Sequence, residues 1–159
     1  MPVPDLIDPP LEGFDAAAVK AAAGRVRAEC HWHIAPEFTQ TFVCETPRDG
    51  IVDLPTLHLV SVESVTVDGQ PVAFDWSVSG RVVLPGLPSG ASLRSLVIVA
   101  RHGFEACPQS LRGVVAELAA PGLGGGKARS EVTGPFTDSY FESDDAAEVL
   151  AAYRLPVVA

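Results

Sequence analysis

The dipeptide Asp68-Gly69 constrains this chain most, because it stands between two apolar, β-branched runs. A two-residue hairpin in a type I′ turn needs positive φ at both central positions, and Asp-Gly is among the few pairs that accept this readily. The run before it, Leu57 to Val67, reads as a long strand with a kink or bulge near Ser61–Ser64. The run after it places Val72, Phe74, Trp76 and Val78 two apart, which predicts a return strand with those four on one face. The middle of the chain is therefore expected to be antiparallel sheet.

The same period of two extends in both directions. Thr39, Thr41 and Val43 alternate with Phe38, Gln40, Phe42 and Cys44. Pro47-Arg48-Asp49-Gly50 predicts a turn, followed by a short strand Ile51–Leu54 that Pro55 ends. Ser79-Gly80 turns into Arg81–Leu84, and a Pro/Gly loop over 85–90 leads to the most apolar strand, Leu93–Ala100.

Helical spacing flanks this block. Asp15 is a good N-cap, Phe14 and Val19 hold the N′ and N4 positions of a hydrophobic staple, and Val19, Ala22, Val26 and Cys30 form one face. This predicts a helix from Ala16 to about His33, which Pro36 ends at Ala35 at the latest. A second helix is predicted from Pro108, at N1, to Ala120, with Leu111, Val114, Val115 and Leu118 facing a core. Residues 122–130, Gly-Leu-Gly-Gly-Gly-Lys-Ala-Arg-Ser, read as a flexible loop, and 131–141 as extended. A last helix starts at Ser143 as N-cap, with Asp144 and Asp145 at its positive end. Val149, Leu150 and Tyr153 are expected to face inward, and Leu155-Pro156 to end it. Residues 1–13, with Pro2, Pro4, Pro9 and Pro10, read as an extended arm, either a loose terminus or a segment docked on a neighbour. The fold class is α+β: an N-terminal helix, a central antiparallel β-meander, then helix, flexible loop and C-terminal helix.

Composition narrows the function. Of 159 residues, 47% are hydrophobic, enough for a core, but only 19% are charged. That is below the roughly 25% of ordinary soluble chains and fits a surface partly hidden in an assembly. The net charge of −9 repels phosphate, so binding by neutralising a nucleic-acid backbone is not expected. By the same repulsion an acidic bore would let DNA slide past without sticking. Cys30, Cys44 and Cys107, odd in number and without a framework spacing, are expected to be free thiols. The start of the chain has neither basic nor apolar leader regions, so no signal peptide is expected, and no run reaches the ~18 apolar residues of a membrane span.

Candidate chemistry is thin. Gly122–Ser130 departs from a phosphate-binding P-loop: Pro121 stands where its first Gly belongs, Ala128 replaces the hydroxyl residue, and a helix rather than a strand precedes it. Cys30, His31 and His33 form a metal-like cluster, but His31 and His33 would point about 200° apart on a helix, and no second pair completes a tetrahedral set. A buried Cys beside two helix-terminal histidines is the better reading. No GxSxG or Cys-His context marks a nucleophile, and His58 and His102 fall in or at the end of strands. Asp144-Asp145 is better explained as helix capping than as a metal or catalytic pair.

Four segments, in order, resemble the head-to-tail adaptor (connector) family of long-tailed bacteriophages, in particular those of actinobacteria. They are Cys30-His31-Trp32-His33-Ile34-Ala35-Pro36 with the Thr-rich strand Thr39-Gln40-Thr41; Leu54-Pro55 and Leu57–Val62 leading into Val65-Thr66-Val67-Asp68-Gly69; Arg101–Pro108; and Glu131–Phe136 before the terminal helix and Tyr153-Arg154-Leu155-Pro156. None is catalytic; order and spacing carry the likeness, which spans nearly the whole chain. It implies a non-enzymatic subunit without cofactors. That subunit would form a homo-oligomeric, dodecameric ring in the virion neck, assembled in the host cytoplasm. The ring would join the portal protein to the head-closure (stopper) protein and extend the DNA conduit without specific DNA binding or membrane contact. It also implies a division into an N-terminal arm, 1–13, and one adaptor domain, 14–159. The domain's ring-forming helices would be 14–35 and 105–155, and its β-rich insertion 37–101. Tyr153, Arg154, Leu155 and Pro156 become candidates for portal contact. An aromatic, an Arg and an apolar anchor also suit an interface. Gly124, Gly125, Gly126, Lys127 and Arg129, in a loop longer than the family pattern, become candidates for contact with a neighbour or the next ring. The alternatives are another neck or tail-end protein, such as a head-closure or tail-terminator subunit, and a small metal-binding enzyme using Cys30, His31 and His33.

Overall fold

The computed structural model describes residues 3–87, 95–120 and 144–156. Helix α1 spans Ala16–Cys30, and its first turn is capped as expected: the Asp15 carboxylate accepts the Ala18 N–H at 2.8 Å. Its buried face is Ala22, Ala23, Val26 and Cys30, small side chains that let other segments approach closely. Val19 and Phe14 are half-buried against the same cluster. The helix stops at Cys30 rather than His33, because His31 takes the left-handed conformation (φ 64°) and its N–H closes the last turn onto the Arg27 carbonyl at 2.9 Å.

The N-terminal segment packs on its own chain. Leu6 and Ile7 are buried in the helical core, and Leu11 packs against it. The Arg27 guanidinium donates through Nη2 to the carbonyls of Pro4, at 2.7 Å, and Ala35, at 2.6 Å, so one side chain ties this segment to the connector after α1. The arm expected to be loose or docked on a neighbour is anchored on α1, because its apolar Leu6 and Ile7 find a cover within the chain.

A four-stranded antiparallel sheet follows, with strand order β1-β7-β3-β4, where β1 is Phe38–Glu45, β3 Leu59–Val67, β4 Gln70–Pro71 and β7 Ser95–His102. β1 pairs with β7 in unbroken register, from Phe38 opposite His102 to Glu45 opposite Ser95. β3 pairs with the other edge of β7, and its register shifts between Leu59 and Ser61 and again between Val62 and Ser64, at the predicted irregularity. The hairpin is where Asp68-Gly69 predicts it: φ is 50° at Asp68 and 78° at Gly69, and Val67 pairs with Gln70.

The return strand differs from expectation. It stays in this sheet for two residues only, since Pro71 has no N–H to offer β3. The chain then crosses to a second antiparallel sheet, ordered β2-β6-β5, where β2 is Ile51–Asp53, β5 Asp75–Trp76 and β6 Arg81–Val83. Val72 and Phe74 do pack on the sheet core, but Trp76 (39% exposed) and Val78 (57%) do not share their burial. The sheet core is Leu54, Leu59, Val65, Val67, Val82, Leu84, Leu96, Ile98 and Ala100.

Helix α2, Gln109–Ala119, starts one residue later than predicted: Pro108 is its N-cap, with extended ψ of 139°, rather than N1. Leu111, Val114, Val115 and Ala119 face the helical core. Helix α3, Asp144–Tyr153, adds Ala146 and Leu150, with Val149 and Tyr153 half-buried, as its spacing predicts. The expected α+β class and order of elements hold. The three cysteines are free, and burial pushes the Cys30 and Cys107 thiols up to about 11, so both stay protonated as core residues.

Candidate functional site

The C-terminal segment folds back onto the end of α1. The Trp32 indole N–H donates to the Tyr153 carbonyl at 2.7 Å, and the Leu155 N–H donates to the Cys30 carbonyl at 3.0 Å. The second bond satisfies one of the carbonyls that a helix C-terminus leaves without an internal partner. The Tyr153 ring meets Phe104 edge-on at 6.1 Å, and its hydroxyl lies 3.2 Å from the Ser110 hydroxyl. Arg154 forms an ion pair with Glu29. Leu155 is half-buried against the helical core, and Pro156 is exposed. Of the four predicted contact residues, three are thus engaged within their own chain, with Arg154 and Pro156 facing outward. Trp32 and Phe104 stand in the segments that carry the resemblance, but the pairing of Glu29, Trp32, Phe104 and Ser110 with the tail has no signal in the sequence, since each contact depends on the ends of α1, α2 and α3 meeting.

The other predicted contact residues, Gly124, Gly125, Gly126, Lys127 and Arg129, lie outside the described residues, as does the Ser143 cap. Asp145 is exposed and lines, with Ser110, Glu148 and Tyr153, an open hollow of about 480 Å³ between α2 and α3.

Cys30, His31 and His33 do not converge. Cys30 is in the core, while His31, exposed at the helix cap, and His33, buried beside Phe38, line one open hollow of about 390 Å³ without Cys30. No group of three metal-ligating side chains comes together among the described residues. His33 instead meets His102, with ring centroids 5.7 Å apart, over Phe38 at 4.2 Å. Its Nε2–H donates to the Pro36 carbonyl at 2.5 Å, and His102 Nε2 is 3.1 Å from the Gln40 side-chain oxygen. Burial lowers both imidazoles, helped at His33 by the Arg27 charge against the pull of the Pro36 carbonyl, and takes His102 down to about 4. His58 donates to the Gly103 carbonyl at 2.9 Å and stacks on Phe104.

Among the described residues, two surfaces present apolar side chains outward or in a groove. The outward face of the larger sheet carries Thr39, Thr41 and Val43 beside Arg101, Val99 and Val97, and Val43 is 70% exposed. A groove of about 440 Å³ runs between the N-terminal segment and α1, lined by Leu6, Leu11, Phe14, Val19 and Ala23 with Asp5, Lys20 and Arg27.

No family model matches the chain, and no curated protein matches it. Among solved structures, a chain described as "Virion of native gene transfer agent (GTA) particle" superposes with a TM-score of 0.53. The two chains share a fold. The match covers 96% of this chain and 86% of the other, so both cores and their connections are included, at 13% sequence identity.

Proposed function

We propose that this chain is a structural subunit of a phage-like virion and, within it, the head-to-tail adaptor of the neck. The carrying observation is the fold shared, over nearly the full length of both chains, with a chain of a gene transfer agent virion. The ordered motifs from Cys30–Pro36 to Tyr153–Pro156 favour the adaptor among virion proteins. In this reading the subunits form a dodecameric ring between the portal and the head-closure protein. The net charge of −9 keeps DNA in transit without specific binding. The virion neck is the final location, reached by assembly in the host cytoplasm. No enzymatic step is part of the role.

The tail anchor refines the portal contact. Tyr153 and Leu155 hold the end of α3 against α1, and so fix where Arg154 and Pro156 stand at the surface. Of the candidates Tyr153, Arg154, Leu155 and Pro156, these two outward residues are the portal-facing part. Lys127 and Arg129, with Gly124–Gly126, are assigned to a neighbouring subunit or the next ring.

The test is retention on purified portal rings of the same phage. The chain should co-sediment with the portal, and truncation after Leu155 should weaken retention about tenfold or more while leaving the isolated fold intact. No retention by the intact chain, together with its absence from purified virions by mass spectrometry, would overturn the reading.

A further inference from the structure

The helical core and the sheet core are joined at one crossing. The connector 31–37 leaves α1 for β1, and residues 103–108 leave β7 for α2, side by side. One backbone bond stitches them, Phe104 N–H to the Ile34 carbonyl at 2.8 Å, and a second ties Gly103 N–H to the carbonyl of His58, just before β3, also at 2.8 Å. Gly103 has φ of 101°, and a Cβ there would stand 3.2–3.3 Å from the Pro36 and Ile34 carbonyls and His33 Cδ2. The crossing is therefore tight at Gly103, and His33 and His102 are buried beside it, 9% and 1% exposed, at the floor of an open hollow of about 390 Å³ whose other titratable and charged lining groups are His31 and Arg27.

Each imidazole uses Nε2 and leaves Nδ1 buried without a hydrogen-bond partner. A neutral imidazole that donates from Nε2 carries a lone pair at Nδ1. A second proton would place an N–H there with no acceptor, and a charge with no anion to meet it. The charged and titratable groups around the pair give no relief. Arg27, from α1, bears on His33 with a positive charge. The two imidazoles oppose each other's protonation, and His58 lies beyond Gly103. Glu37 is engaged with Arg101 at 2.7 Å. β1 contributes Phe38, Gln40 and Phe42, none of which titrates.

We infer that the His33–His102 contact is a proton-sensitive latch between the two halves: closed while both rings are neutral, and opened at the crossing when they take up protons. This is independent of the neck assignment. The direction follows from the chemistry. His102 folded titrates at about 4, against 6.5 when exposed, so as pH falls the opened form takes its proton first. The latch is at full strength above pH 6.5 and weakens between 6.5 and 4.

Amide exchange on the whole chain, corrected for intrinsic rates, tests this. From pH 7 to 4.5, protection of Gly103 and Phe104 should fall roughly 50-fold, the ratio set by an imidazole at 6.5 against one at about 4. Protection of Val65 and Ile98, inside the sheet, should hold over the same range. His33→Gln with His102→Gln, which keeps a donor near each Nε2 position and cannot titrate, should flatten the response. If that variant does not fold, ring titration of the native histidines by NMR decides, with His102 titrating near 4 and His33 below its ordinary value. Loss of protection in both halves at one midpoint, an unchanged response in the variant, or rings titrating near 6.5 with the junction amides unaffected would each overturn the latch.

Discussion

The two cores are built in opposite ways. The sheet core comes from one continuous stretch, Phe38 to His102, and its order is a hydrogen-bonded ladder. The helical core is gathered mainly from three separated stretches: the N-terminal segment running through α1 and its connector, α2, and α3 with its tail. Its closing contacts are side chains reaching backbone across long separations, as in Arg27 to Pro4, Trp32 to Tyr153 and Arg112 to the Pro9 carbonyl. A ladder is specified locally by alternation and turns. A gathered core depends on single long side chains that meet the right carbonyl, so its weak points are individual residues.

The largest effects should come from the cores themselves. Leu111→Ala in the helical core and Ile98→Ala in the sheet core, both fully buried, should each cost about 2–5 kcal/mol in urea unfolding at pH 7. With the latch closed, both should shift one shared transition; two transitions moving separately would show the halves to be uncoupled. Next is Gly103→Ala at the crossing, where positive φ and the close carbonyls should cost about 1–3 kcal/mol by the same measurement. A value near zero would show that the crossing has room to adjust. Asp15→Ala removes the α1 cap and should cost about 1 kcal/mol. The smallest effect is expected at the tail. Arg154 and Glu29 are 45% and 36% exposed, so a double-mutant cycle should give a coupling of about 1 kcal/mol or less. A larger coupling would make the tail clamp part of the fold's stability rather than a positioner of the surface residues.

The same contrast explains what could be read in advance. Asp68-Gly69, the irregularity at Ser61–Ser64 and the alternation in β1 are local signals, and the structure follows them. The switch of the chain to the second sheet after Pro71 is not legible in the sequence, because alternation over Val72–Val78 does not say which strand is the partner. Helix faces were legible from spacing, but not the left-handed His31, which has no Gly to announce it. In the candidate site, Tyr153–Pro156 are contact candidates through the resemblance to the adaptor family, supported by residue type. That Tyr153 and Leu155 are held by Trp32 and Cys30 depends on a fold-back that no local pattern encodes. The pairing of His33 with His102 is of the same kind, since the two lie 69 positions apart and meet only because the connectors cross.

The central claim is a place in the virion neck, and image reconstruction of the neck of the particle encoding this chain tests it most directly. The account predicts a ring of this fold between portal and head-closure protein, with Arg154 and Pro156 turned toward the portal. A neck whose density is filled entirely by other chains, or this fold found elsewhere in the particle, would contradict it.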